Sequence, residues 1–206
     1  MSLVLSACGG SGDTTDTTAS GGMNHSGSSS AVGTAPEHAA EDHNAADVEF
    51  AQLMIVHHRG AIEMTEMAGT RAASPEVKDL AKSIQAAQEP EIQTMSGWLE
   101  TWGEEVPEGT TPVDGSMGHG GSMGHGGGSM PGMMSEHDMA ALEAASGAEF
   151  DRMFLEGMTE HHEGAISMAQ TEQAEGKYAE AVALAEKIET EQTAEIEEMR
   201  GLQGAL

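Results

Sequence analysis

The chain has 206 residues, with 35 Asp and Glu against 8 Lys and Arg, a formal net charge of −27. So acidic a chain is repelled by phosphate, which excludes nucleic-acid binding and docking on anionic lipid. Its single Cys excludes a disulfide scaffold and a cysteine-based zinc cluster, whereas 16 Met and 10 His supply the thioether and imidazole donors that late transition metals prefer.

At the start, Leu5-Ser6-Ala7-Cys8 followed by Gly9-Gly10 has the form of a bacterial lipobox. Only seven residues precede Cys8 and the first basic residue is Arg59, so the charged and apolar regions of a signal peptide are missing and the start reads as mis-assigned or trimmed. Residues 1–45 are therefore expected to be a lipobox remnant and a flexible Gly/Ser/Thr/Asp tether. On this reading the protein is exported, at the cell surface or outside it, with membrane contact only through a lipid anchor on Cys8. No run of the chain approaches the roughly 20 apolar residues needed to cross a bilayer.

The rest of the chain is a duplication. At a constant offset of 104 residues, Asp47–Met64 matches Asp151–Met168 at nine of 18 positions, and Leu80–Gly97 matches Leu184–Gly201 at eight of 18. Chance would give about two or three matches over both windows. Each copy reads as helix, turn, helix. In the first helix Phe50, Met54, His57, Ala61, Met64 and Ala68 recur every three or four residues as one stripe, with Arg59, Glu63 and Glu66 opposite. The second helix presents Val77, Leu80, Ile84, Gln88, Glu91, Met95 and Leu99 on one face. Between them Ser74-Pro75 is a helix start, and Pro90, inside the second helix, is expected to kink it. Two hairpins, over residues 46–104 and 137–206, bury their four stripes most simply in one all-α four-helix bundle whose first and third helices are related by a pseudo-twofold axis.

Residues 105–136 join the copies. This linker contains Ser116-Met117-Gly118-His119-Gly120-Gly121, repeated at once as Ser122-Met123-Gly124-His125-Gly126-Gly127, and then Met130, Met133 and Met134. Such composition cannot build a core, so the linker is expected to be a disordered strap carrying extra ligands.

On the stripes, Met54, His57, His58 and Met64 are spaced to converge on one side of the first helix, and Met158, His161, His162 and Met168 repeat them. Met at this spacing is ordinarily core filler, but two imidazoles beside an apolar stripe need polar partners. Di-iron bundles place Glu three residues before His, where this chain has Met54 and Met158. Thioether with imidazole favours Cu(I), tolerates Cu(II) through the His, and disfavours Mg, Ca and Mn. Gln88 with Glu91, and Gln192 with Glu195, stand either as partners that orient the His rings or as stripe-edge residues reaching water. Gly60 and Gly164 suggest close helix approach or room for a ligand.

Phe50–Met67 (FAQLMIVHHRGAIEMTEM) and Phe150–Met168 (FDRMFLEGMTEHHEGAISM) resemble the DUF305 family, whose signature is a His-His-x-Gly-Ala-Ile-x-Met core; Pro131-Gly132-Met133-Met134 and Asp138-Met139-x-x-Leu142 are similar to it too. The resemblance implies a ferritin-like four-helix bundle in exported bacterial proteins, some of which bind copper and support copper tolerance. It adds Met133, Met134 and Met139 as weaker ligand candidates. The expected function is binding of copper ions, for sequestration or hand-on to a partner, without catalysis. A copper or iron redox enzyme and a metal-free interaction or stress bundle are the alternatives.

Overall fold

A capping box starts helix α1 (Ala45–Arg71): the Asn44 side chain accepts from the amides of Ala46 and Asp47, and Asp47 accepts from the amide of Asn44 at 2.6 Å. Helix α2 (Pro75–Trp102) starts as its sequence dictates, with the Ser74 hydroxyl accepting from the Val77 amide and Pro75 at the first helical position. It stops at Gly103, whose φ of 76° lies in the left-handed region. Helices α3 (Glu136–Ala144), α4 (Ala148–Glu175) and α5 (Ala179–Gln203) follow. The computed structural model describes residues 42–110 and 130–206, which are helical throughout their regular parts, with one isolated bridge between Ala72 and Gly147. The Cys8 lipobox, the tether up to residue 41 and the linker residues 111–129 lie outside the described residues.

Pro90 leaves α2 unbroken. Proline removes the hydrogen bond to the carbonyl four residues before it and crowds that carbonyl, but on the exposed face of α2 the carbonyl can turn to water while the buried face keeps the helix in place. The expected stripes are the buried faces: every stripe residue named for the first two helices is buried, while Glu63 and Glu66 are exposed. No helix among the described residues is long and apolar enough to cross a membrane.

Helix α1 packs on α2, α4 on α5, and α1 and α4 lie against each other. They run antiparallel, as their ends show. Asp47, at the start of α1, accepts from the amides of Lys177 and Tyr178 beyond the end of α4, at 2.9 and 2.8 Å. Asp151, at the start of α4, accepts from the amides of Ala73 and Ser74 beyond the end of α1, at 3.0 and 2.9 Å. Each of these buried carboxylates thus closes the turn of the other hairpin, the exchange of contacts that a pseudo-twofold relation between α1 and α4 requires. The four long helices form one bundle.

One element goes beyond the four expected. Helix α3 has nine residues, is capped by the Ser135 hydroxyl on the Asp138 amide, and buries only Leu142. One buried residue gives no periodicity to read.

Candidate metal centre

The antiparallel crossing of α1 and α4 brings the two His-His pairs together in the middle of the bundle. The rings of His57 and His161 pack against each other with centroids 3.7 Å apart, tilted by 44°. His58 Nε2 lies 2.8 Å from Glu91 Oε2, and His162 Nε2 lies 2.7 Å from Glu195 Oε2. A carboxylate can only accept, so in both pairs Nε2 carries the proton and, in the neutral ring, Nδ1 carries the lone pair. His57 Nε2 lies 3.1 Å from the carbonyl of Pro131, which fixes the same tautomer. The Nδ1 atoms of all four rings, and Nε2 of His161, are buried without a hydrogen-bond partner. Burial, reinforced by the charge of neighbouring His58, holds His57 down to about 3, and burial with His57 beside it holds His161 well below the usual imidazole range. Both rings are therefore neutral at pH 7, with lone pairs free to bind a cation.

A tight turn covers this cluster. The Met133 amide donates to the carbonyl of Met130 at 3.2 Å, Pro131 sits at the second position and Gly132 at the third with φ 76°, the arrangement of a type II turn. The turn presses on α4: the Pro131 carbonyl occupies the space where Gly164 lacks a side chain. It also delivers two sulfurs. A Cβ at Gly60 would lie 3.1 Å from Met133 Sδ and 3.3 Å from His161 Nε2, and a Cβ at Gly157 would lie 3.0 Å from Met134 Sδ and 3.4 Å from Met64 Cε. The missing side chain of Gly60 thus lets the Met133 side chain, its Cε 2.9 Å from that Cβ position, lie against α1 beside a lone imidazole nitrogen. On the other side of α1, the guanidinium of Arg59 donates to the carbonyl of Pro107, and Gln52 Nε2 donates to that of Glu105 at 2.9 Å, so the chain leaving α2 folds back along α1.

The stripe methionines separate into two lobes. Met64 and Met158 are fully buried in one core cluster, with Met134 and Met139 packed against it; Met54 is fully buried in the other, with Met168 against it. Antiparallel packing pairs the early Met of one helix with the late Met of the other, so Met54 and Met64 stand on opposite sides of the imidazoles. Met117, His119, Met123 and His125 lie outside the described residues. Among the described residues no three His, Cys, Asp or Glu side chains converge as a metal-ion cage. The donors that do converge are imidazole nitrogen and thioether sulfur, which fit a soft late-transition ion and not a hard one.

Of the polar intruders, the two Glu back the His rings. Gln88 and Gln192 are buried too, yet both side-chain polar atoms of Gln88 and the Oε1 of Gln192 have no hydrogen-bond partner. Sequence reasoning missed Glu172, the counterpart of Ala68 in the first copy. Its buried carboxyl lies beside Asp47, and burial together with that negative neighbour pushes it up to about 8. A lone Glu on a helix face carries no sign of this in its spacing.

The family model "Domain of unknown function (DUF305)" matches residues 47–203. A DUF305 protein from Streptomyces coelicolor inferred to be secreted is 32% identical, with 76% of this chain and 91% of that chain covered and a TM-score of 0.65. A DUF305 fragment from Deinococcus radiodurans is 29% identical over 79% of this chain and 98% of its own, at a TM-score of 0.66. CopM in its Cu(II)-bound form is 31% identical over 77% of this chain and 96% of its own, at a TM-score of 0.61; Cu(I)-bound and Ag-bound forms of CopM match similarly. No functionally curated protein matches the chain.

Proposed function

The chain belongs to the DUF305 family, and on that premise we propose that it is an exported protein that binds copper, Cu(I) before Cu(II), at its buried imidazole–thioether centre and sequesters it or hands it on without catalytic turnover. The observation that carries this reading is the approach of Met133 to α1 at Gly60, where a missing side chain lets its thioether share one spot with the unpartnered Nε2 of His161, which itself packs against His57. A buried imidazole nitrogen without a partner is unfavourable by about 1–3 kcal/mol, and a soft cation removes that cost while taking sulfur as its second donor.

Copper is cargo in this scheme. His161 and Met133 receive it, His57 stands against the same ring, and the sulfurs of Met54, Met64, Met158 and Met168 flank the centre as further acceptors. His58 and His162 offer Nδ1, their rings held by Glu91 and Glu195 in the way that metal-bound imidazoles are commonly backed. Thioethers have no proton to lose and imidazoles already neutral need none removed, so binding is little affected by mild acidity. Met134 and Met139, and outside the described residues Met117, His119, Met123 and His125, supply weaker donors. The copper-bound and silver-bound forms of CopM support the choice of metal, and the Streptomyces relative supports export. Anchoring at Cys8 rests on the sequence alone.

The test is a Cu(I) titration against a competing chelator, for the parent and for His57→Gln combined with His161→Gln. The double variant is expected to lose the tightest copper with the helices intact. Uptake equal to the parent's overturns the assignment.

A further inference from the structure

The two carboxylate-backed histidines are electrically unequal. Glu91 lies between two partners, accepting from His58 at 2.8 Å through Oε2 and from Lys187 Nζ at 2.6 Å through Oε1. Burial alone would raise the Glu91 carboxyl, but His58 and Lys187 outweigh it and hold the group below the usual range. Glu195 accepts from His162 at 2.7 Å, and among the described residues no Lys or Arg forms an ion pair with it; the nearby Arg200 pairs with Glu163 instead. The cause is one position: the residue that matches Lys187 in the first copy is Ser83.

We propose that Lys187 is a positioning residue that weakens His58 as a donor, so that His162 is the imidazole of the backed pair that a soft monovalent cation takes first. This rests on the metal-binding reading above. A carboxylate on Nε2–H pushes electron density through the ring onto Nδ1 and strengthens it as a ligand. An ammonium on the far oxygen of the same carboxylate draws that density back. Formal charge acts in the same direction: Lys187 places a positive charge beside the His58–Glu91 pair, offset in part by Glu191, whereas among the described residues no cation pairs with Glu195. At separations of about 10 Å and an effective dielectric of about 20, one unit of charge changes cation affinity on the order of tenfold. Lys187 is 48% exposed and also pairs with Glu191, which keeps the difference from growing beyond that.

Lys187 and Ser83 are both exposed, so both tolerate substitution. The test uses protein labelled with 15N in its histidines, with Ag(I) as a diamagnetic monovalent probe. In the parent and in Lys187→Arg, the Nδ1 resonance of His162 is expected to respond at lower Ag(I) than that of His58, by about tenfold. In Lys187→Ser the two should respond together. In Lys187→Ser combined with Ser83→Lys, which moves the amine to the side of Glu195, the order should reverse. An unchanged order in Lys187→Ser, with only the melting temperature altered, would show that the lysine merely ties α5 to α2 and overturns the inference. Loss of any histidine response to Ag(I) in the parent overturns the metal-binding reading and this inference with it.

Discussion

In the first hairpin His58 shares its carboxylate with Lys187 and the core position behind it is Ala68; in the second, His162 has Glu195 as its own and Glu172 replaces the alanine. Other matching residues reach symmetrically across the contact between α1 and α4: Asp47 and Asp151 cap the opposite hairpin, and His57 and His161 pack against each other. The two that differ reach across as well: Lys187 of α5 pairs with Glu91 of α2, and Glu172 of α4 lies beside Asp47 of α1. A duplicated unit is thus symmetric where the two copies exchange the same contact, and asymmetric where a side chain of one copy alone reaches into the other.

The reciprocal caps give the largest expected effect. Asp151→Ala removes two charge-assisted hydrogen bonds from the part-buried amides of Ala73 and Ser74 in the first turn, for a loss of about 2–4 kcal/mol in urea unfolding. Asp47→Ala should cost at least as much, since Asp47 also holds the Asn44 amide. A loss confined to one hairpin, read by hydrogen exchange, would break the claim that the halves are interlocked.

The odd carboxyl should reveal itself through pH. Glu172 is pushed up from its ordinary 4.5 to about 8, so the folded state holds a proton that the unfolded state releases between those values. Stability from this group is complete below about 4.5 and declines as pH rises through 8. Glu172→Gln should therefore stabilise the protein by about 1–2 kcal/mol at pH 8, after allowance for screening, and little at pH 4. Equal effects at both pH values would refute the buried pair. His57 has the opposite sign: its value of about 3, against 6.5, adds stability above 6.5 that is lost on acidification towards 3. Thermal melts of the apoprotein should fall over that window, and less so in His57→Gln.

Smallest in stability, and sharpest in chemistry, is Met54→Leu with Met158→Leu. Leu keeps volume and apolarity, so the apoprotein should change by under about 1.5 kcal/mol. Cu(I) affinity should fall while Cu(II) binding persists through imidazole. Parallel losses of both ions would show that the two Met only pack.

Much of this was legible before any coordinates. The stripes, the Ser74-Pro75 start and the repeat follow from local spacing, and local spacing is what a helix obeys. The division of the sulfurs was not, because Met54 and Met64 share a helix face while their neighbours are set by the antiparallel partner. Met133 also gained its place from a turn that crosses two helices, which no window of sequence contains. The caps were half visible: Asp47 and Asp151 match at the repeat offset, but an Asp in a first helical turn is commonplace, and only tertiary contact shows whose amides it holds.

X-ray absorption of the protein loaded with one equivalent of Cu(I) bears most directly on the central claim. A first shell containing both imidazole nitrogen and thioether sulfur, with the sulfur contribution reduced in Met133→Leu and the nitrogen contribution in His161→Gln, is the expected result. A shell of nitrogen and oxygen alone, unchanged in both variants, would contradict it.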